Sequence, residues 1–146
     1  MSFFDALNIS ATGLTAERTQ MDVTSENLAN AQSTNNGTPY KPQAVELQSV
    51  NSGSSFQAEL SSALGGDAGT AGGVEVSGIV SENVPNQLVY DPGNPQANKK
   101  GYVSEPNIQP VTEMTNLISE SNSYQADVTA MDTSKQMYSE TLNILK

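Results

Sequence analysis

The chain has 146 residues and a formal charge of −10. Six Lys and Arg against sixteen Asp and Glu cannot form the basic surface that nucleic-acid binding requires, so we expect no nucleic-acid partner. The absence of Cys and His excludes disulfides, His-based catalytic triads and the zinc sites that these residues build.

The apolar content allows only a small core. Leu, Ile, Val and Phe together number 29 of the 146 residues, about one fifth, which is near the limit at which a chain can offset its own ordering entropy. We therefore expect a partner surface to supply part of the burial.

The first ten residues, MSFFDALNIS, lack the basic segment and the long apolar core of a cleaved secretory signal. No run in the sequence approaches the roughly 18 apolar residues of a membrane span. If the chain leaves the cytoplasm, we expect it to use a route without a cleaved signal.

The front of the chain carries apolar residues at alternating spacings of three and four, which predicts a helix with one packing seam. Arg18 and Ser25 interrupt the seam, and Gly13 costs about 1 kcal/mol relative to Ala in a helix. We therefore expect this helix to be marginal without a partner. The seam residues, which we predict to lie at subunit interfaces, are Phe4, Leu7, Ala11, Leu14, Met21 and Leu28.

A second and longer seam occupies the back of the chain, with interruptions at Ser121 and Lys135. Pro110 suits the first turn of this helix, where its missing N–H is not needed, and Asn107 is the expected N-cap. The predicted interface residues on this seam are Met114, Leu117, Tyr124, Val128, Met131, Tyr138, Leu142 and Leu145.

An amide-rich stretch, TSENLANAQSTNNGTPYKP, begins inside the front helix pattern and runs past its end. Side chains of this kind, together with Gly37, favour local hydrogen bonds and left-handed backbone geometry that end a helix. Pro39 biases Thr38 toward extended geometry. We predict that the helix ends here and continues as an extended arm, and that Asn27 and Asn30 also contact neighbouring subunits.

The middle of the chain is rich in Gly, Asn, Ser and Pro. Its low-complexity island, SALGGDAGTAGG, predicts a flexible loop. Three short runs of alternating residues predict strands of a small hairpin region. These runs are residues 74–80, 86–90 and 101–105, with 91–101 as a turn.

These patterns predict a mainly α fold in which long N- and C-terminal helices pair as a coiled-coil-like rod element, with a small β-hairpin or extended region between them. At ~1.5 Å per residue the two helices would span roughly 40 and 50 Å. We predict an N-terminal helix over 1–33, an extended and β-rich region over 34–107 with a flexible segment at 62–73, and a C-terminal helix over 108–146.

No group of residues predicts catalysis. The glycine-rich island lacks the Gly-Lys-Ser/Thr ending of a phosphate loop, and the prolines and lysines of residues 91–101 break the spacing of a calcium loop. Glu113, Glu120 and Asp127 recur every seven residues, which we interpret as a solvated face beside the seam and not as a paired-acid site. We therefore expect no enzyme activity, no cofactor, no metal and no small-molecule substrate.

Several long segments, in the right order, resemble the bacterial flagellar rod and hook family. The family's Asn-Leu/Ile-Ala-Asn hallmark is present as Asn27–Asn30, and its Tyr-Gln-Ala segment as Tyr124–Ala126. The resemblance is strongest to proximal-rod members and thin across residues 48–73. The family often has two basic residues after GTPY, where this chain has Lys41 and Pro42. The similar stretches are DALNISATGLTAER, GTPYK, LVYDPGNPQANKKGYV and NIQPVTEMTNLISESNSYQADVTAMDTSK.

The resemblance implies a structural subunit of the proximal rod that transmits torque. It implies export through the flagellar type III apparatus without cleavage, and a place outside the inner membrane, in the periplasm if the cell has two membranes. The implied partners are further copies of the chain, other rod proteins, basal-body components near the inner-membrane ring, and the export apparatus. Two alternatives remain open at this stage: a secreted coiled-coil effector or adaptor, and a cell-wall hydrolase that uses carboxylates alone.

Overall fold

The computed structural model of the chain describes residues 3–35, 37–50 and 72–144. Along the chain, a small antiparallel strand region lies between an N-terminal and a C-terminal helix. The protein is mainly helical. Most of the predicted flexible segment, residues 62–71, lies outside the described residues. The elements are α1 (Phe3–Ala29), β1 (Thr34–Asn35), β2 (Thr38–Pro39), β3 (Gln43–Val50), β4 (Gly73–Ser81), β5 (Gln87–Tyr90), β6 (Tyr102–Glu105) and α2 (Pro110–Ile144).

Helix α1 ends at Ala29, within the amide-rich stretch and four residues before the predicted boundary at 33. The backbone N–H of Asn30 donates to the carbonyl of Glu26 at 3.0 Å, and the Asn30 side chain donates to the same carbonyl at 3.0 Å. Gly37 follows with φ +80° in the turn between β1 and β2. The left-handed glycine reverses the chain, so that Thr38 enters β2 in extended geometry.

The strands at 74–80, 86–90 and 101–105 are confirmed as β4, β5 and β6. β5 and β6 form an antiparallel hairpin in which Val89 pairs with Val103. Two further features were not predicted as strands: the short β1–β2 hairpin and β3, which pairs with β4. The sequence indicated β3 only as an extended arm, because its run of alternating residues is weak.

Helix α2 begins at Pro110, two residues after the predicted start at 108, and Pro110 lies in its first turn as expected. The predicted N-cap at Asn107 is wrong, since the carbonyl of Gln109 accepts the first two helical bonds, from Thr112 N–H at 3.0 Å and Glu113 N–H at 3.1 Å. The reason is geometric. A proline at the first helical position makes the residue directly before it the cap, because that residue's carbonyl starts the ladder.

None of the 35 residues of α2 is buried. Within the described residues neither helix combines the length and the apolar character that a membrane crossing demands. Many hydroxyl side chains of α2 bond to the helix itself instead of to a partner. Thr115, Thr129, Thr133, Ser134 and Thr141 each donate to the carbonyl four residues earlier, at 2.8 to 2.9 Å.

The chain divides into two compact units. The first unit comprises Met1–Arg18, Leu47–Ser77 and Ser121–Lys146, and the second comprises Thr19–Glu46 and Gly78–Glu120. Each unit takes part of both helices.

In the first unit the hydroxyl of Thr12 links α1 to β4. It donates to the carbonyl of Ile9 at 2.7 Å and accepts from the backbone N–H of Val74 at 3.2 Å. Ala16 is the buried apolar residue of this unit among those described. The core of the second unit is larger but still small. Its buried apolar residues outside proline are Val23, Ala31, Val103 and Ile108.

Candidate assembly site

Asn27 joins α1 to β3 in the second unit through one side-chain amide. Its Nδ2 donates to the carbonyl of Gln43 at 2.8 Å, and its Oδ1 accepts from the N–H of Gln43 at 2.9 Å. The hydroxyl of Tyr40 also donates to Oδ1, at 3.3 Å. Asn27 is only 6% exposed and lies one turn after the buried Val23. The amide therefore pairs with the β3 backbone much as a neighbouring strand would.

Two carboxylates of α2 face the same part of α1. The hydroxyl of Thr24 donates to Oε1 of Glu120 at 2.9 Å, and the side chain of Glu113 accepts a hydrogen bond from Asn27. From Thr24 to Asn27 the residue number on α1 rises, while the number of the contacting residue on α2 falls from 120 to 113. In the second unit the two helices are therefore antiparallel.

The interpretation of Glu113, Glu120 and Asp127 as a solvated face is wrong. All three are half-buried, and Asp127 approaches α1 in the first unit, where a Cβ on Gly13 would lie 2.8 Å from its Oδ2. The seven-residue spacing does place them on one face. The face turns toward α1 because Thr24 and Asn27 supply polar partners there.

Desolvation and charge act together on Glu113. Burial raises the pKa of its carboxyl, the nearby Glu120 and Glu82 raise the pKa further, and the hydrogen bond from Asn27 opposes them. Oε2 of Glu120 is buried without a hydrogen-bond partner. Burial, with a contribution from the charge of Glu26, also raises the pKa of Tyr40.

A polar cleft of about 490 Å³ lies between α1, the start of β3 and the start of α2, and its lining includes Thr24, Asn27, Glu82, Glu113 and Glu120. The described residues include no set of three acidic, His or Cys side chains arranged to hold a metal ion. Two of the carboxylates that line the cleft, Glu113 and Glu120, accept hydrogen bonds from Asn27 and Thr24 of the same chain. The arrangement can thus hold three elements of the second unit together, and we call Thr24, Asn27, Gln43, Glu113 and Glu120 the Asn27 cluster.

The predicted seam of α1 is not the helix's most buried face. That face carries Ala16, Val23 and Asn27, about 200° around the helix from Leu14 and Met21. Sequence reasoning missed it because Ala16, Val23 and Asn27 include only one larger apolar side chain and so do not form an apolar stripe. Of the predicted residues, Leu7, Leu14, Met21, Leu28 and Asn30 are half-buried, Ala11 is exposed, Asn27 is buried, and the side chain of Phe4 lies outside what the structure describes.

The seam of α2 changes character along its length. Leu117, Tyr124, Val128 and Met131 are half-buried, whereas Met114, Tyr138 and Leu142 are exposed by 51%, 40% and 49%. Leu145 lies outside the described residues. Met114 shares an exposed face with two residues that the seam did not include. These are Val111 and Ile118, at spacings of three and four that the sequence already displays.

Both ends of the chain match family models. The model for flagella basal body rod proteins matches residues 7–36, and the model for the C-terminal region of flagellar basal body rod FlgEFG proteins matches residues 99–144. The matched segments include Thr24 and Asn27 on α1 and all of α2. The two helices thus match those of flagellar rod proteins.

Full-length relatives agree with the models. The chain is 45% identical to the flagellar basal-body rod protein FlgC of Bacillus subtilis strain 168, over 100% of both chains. It is 37% identical to FlgC of Escherichia coli O6:H1, over 99% of this chain and 98% of the relative. It is also 37% identical to FlgC of Borreliella burgdorferi, over 100% and 99%.

The chain belongs to the FlgC family of flagellar basal-body rod proteins, which are structural subunits of the rod. The family membership confirms the resemblance and places the chain in the rod of the flagellar basal body. Assembly with other rod components follows from the same membership. Neither the effector nor the hydrolase alternative gains support from these matches.

Proposed function

We propose that this chain joins the rod by packing the seam faces of its two terminal helices, in coiled-coil-like pairs, against neighbouring copies and other rod proteins, and that this packing carries torque. The supporting observation is the surface of α2. A helix of 35 residues without one buried residue draws little stability from its own chain, because helices in proteins are held mainly by packing of an apolar face. Neighbouring subunits would supply that packing.

The exposed apolar residues of α2 favour contacts at both ends of the helix. Met114 and Ile118 are 51% and 63% exposed near its start, and Met137 and Leu142 are 65% and 49% exposed near its end. Met and aromatic residues are enriched in protein interfaces. The half-buried seam residues Leu117, Tyr124, Val128 and Met131 would contact α1 of the same chain on one side and a neighbouring subunit on the other.

We further propose that the chain reaches the rod through the type III export apparatus without cleavage and lies near the inner-membrane ring. Its membership in a rod family supports this route. We assign it no enzymatic role. The carboxylates that might have formed an acid pair, Glu113 and Glu120, accept hydrogen bonds from Asn27 and Thr24 of the same fold.

Hydrogen exchange, measured by mass spectrometry on the free chain and on isolated basal bodies, tests the helix-packing proposal. We expect fast exchange over 121–144 in the free chain and slow exchange there after assembly, since local opening is easiest where little is buried. The segment around Gln43, whose N–H is bonded to Asn27 within the chain, serves as the internal control and should change little. Equally slow exchange of both terminal helices in the two states would contradict the proposal.

Mass spectrometry of purified hook-basal bodies, stripped of membrane and filament, tests the assignment to the rod in the source cell. The chain should occur in the fraction that contains the other rod proteins. Its absence from bodies that contain those proteins would overturn the assignment.

A further inference from the structure

The β5–β6 hairpin has one buried and one exposed face. Val89 and Val103 form the inner side, and Val103 is 3% exposed. Side chains alternate along a strand, so Leu88 and Tyr90 lie on the opposite side together with Tyr102, the partner of Tyr90. These three residues are 64%, 64% and 41% exposed.

The exposed side is ordered by its own contacts. The rings of Tyr90 and Tyr102 meet edge to face, with centroids 5.2 Å apart. Gly101, with φ +81°, brings the backbone so close that a Cβ there would lie 2.9 Å from a carbon of the Tyr90 ring. Aromatic side chains held in this way lose little freedom on binding, and Tyr is prominent among residues that dominate interface energetics.

The adjoining loop is also held in place by hydrogen bonds. Oδ1 of Asn98 accepts from the backbone N–H groups of Lys100 at 2.8 Å and Tyr102 at 3.1 Å. The N–H of Asn98 donates to the carbonyl of Tyr102 at 2.9 Å. One asparagine therefore fixes the loop against the start of β6.

This loop presents two of the six cations of a chain whose net charge is −10. Lys99 and Lys100 are exposed, and their ammonium groups form no ion pair with any described residue. Copies of so acidic a chain repel one another where they touch. An apolar surface beside two unpaired cations is therefore complementary to an acidic surface, and the chain itself carries sixteen Asp and Glu residues.

We propose that the side formed by Leu88, Tyr90 and Tyr102, with Lys99 and Lys100 in the adjoining loop, docks onto a carboxylate-bearing surface of a second copy of this chain. We call these five residues the hairpin face. The inference rests on the assembly role proposed above and adds to it a contact outside the helices. The aromatic side chains supply burial, and the lysines offset the repulsion between copies.

Site-specific photo-crosslinking in assembled rods tests which partner covers the hairpin face. A benzophenone side chain at Leu88 should give an adduct that mass spectrometry identifies as two copies of this chain. The same group at Gln87, one residue along the strand and therefore on the other side, is the matched control and should give none. An adduct with a different protein, or no adduct from Leu88 in rods that contain the chain, would overturn the proposal.

Charge substitutions test the role of the lysines. The pair Lys99→Gln and Lys100→Gln lowers the net charge by two, as does the single change Lys41→Glu at an exposed site between β2 and β3. The first should lower the yield of the Leu88 adduct by about tenfold, because rim charges chiefly steer association, and the second should leave it unchanged. Equal yields in both variants would contradict the charge complementarity.

The outcomes also separate this inference from the proposed function. If the chain is absent from the rod fraction, the assembly role fails. If the chain is present and the helices become protected on assembly, but Leu88 gives no adduct between copies, only the hairpin contact fails.

Discussion

The Asn27 cluster and the last turns of α2 differ in where their partners lie, although both involve a helix that carries a predicted stripe of residues spaced by three and four. Thr24 and Asn27 lie off the stripe of α1. In the cluster Thr24 and Asn27 are buried and bonded within the chain, whereas Leu142 and Ile144 at the end of α2 are 49% and 83% exposed. The difference teaches that a heptad pattern predicts a helix, but not which face of the helix packs within the same chain.

The largest effect on assembly is expected at the end of α2, where the chain itself does not cover the exposed apolar residues. Leu142→Asp should abolish incorporation into the rod and motility, because a charge would enter the proposed subunit contact, while the stability of the free chain changes by less than about 0.5 kcal/mol. Motility on soft agar and mass spectrometry of basal bodies measure the first effect. Asn143→Asp adds the same charge one residue away, off the apolar stripe, and should assemble. Normal motility of the Leu142 variant would contradict the comparison.

The Asn27 cluster should respond in the opposite way, through folding. Asn27→Ala leaves the N–H and carbonyl of Gln43 and the carboxylate of Glu113 without their partner, which should cost about 3 kcal/mol, since each stranded polar group costs roughly 1–3 kcal/mol. Urea unfolding of the free chain measures this cost. Asn30→Ala removes an exposed bond to Glu26 and should cost about 1 kcal/mol or less. Equal losses of unfolding free energy in the two variants would contradict the claim that Asn27 stabilises the fold more than Asn30 does.

The two left-handed glycines separate backbone strain from packing within the second unit. Gly37→Ala should cost about 1 kcal/mol, since φ is +80° but a Cβ would meet nothing within 4 Å. Gly101→Ala should cost about 2 kcal/mol, because the same strain is joined by the contact with the Tyr90 ring. Urea unfolding of the two variants measures this difference: the free energies of unfolding are compared from the midpoints, provided the slopes against urea concentration are equal. A larger loss for the Gly37 variant would contradict the close packing of Gly101.

The smallest effect is a pH dependence in the Asn27 cluster. The pKa of Glu113 is raised above its ordinary value of 4.5, first by desolvation. Above pH 4.5 the folded chain therefore holds this proton more tightly than the unfolded chain, and stability falls as pH rises through the raised pKa. Glu113→Gln removes this contribution and keeps an acceptor for Asn27, so its stability should fall less between pH 4.5 and pH 7. The exposed Glu140→Gln controls for the lost charge, and parallel curves for wild type and Glu113→Gln would refute the expectation.

Both helices and the β5–β6 hairpin could be predicted from the sequence because their signals are local. Pro110 starts a helix, the amides after Leu28 end one, and alternating residues around a turn form a hairpin. β3 was indicated only as an extended arm because its side chains are mostly exposed and carry little apolar alternation. Pairing with β4, a contact distant in sequence, is what makes it a strand.

The sequence pointed to Asn27 but did not predict the residues that contact it. The Asn-Leu-Ala-Asn segment identified Asn27 as important, yet its partner Gln43 lies 16 residues away and has no distinctive neighbours. The sequence predicted solvent-exposed carboxylates on α2 because charged side chains are mostly exposed in proteins. Only the polar surface of α1 explains why they turn inward. The assignment of Asn27 and the seam residues to subunit interfaces stays a prediction.

The hydroxyl side chains along α2 have a consequence for how the helix meets its neighbours. Thr129, Thr133 and Ser134 already donate to carbonyls of their own helix, so covering them with another subunit leaves no donor stranded. A neighbour that slides along this surface breaks no bond and needs no matching acceptor. If α2 packs against neighbouring subunits as proposed, these hydroxyl groups would add little energetic penalty to a small change of register, so successive copies in the rod would adjust to non-identical surroundings.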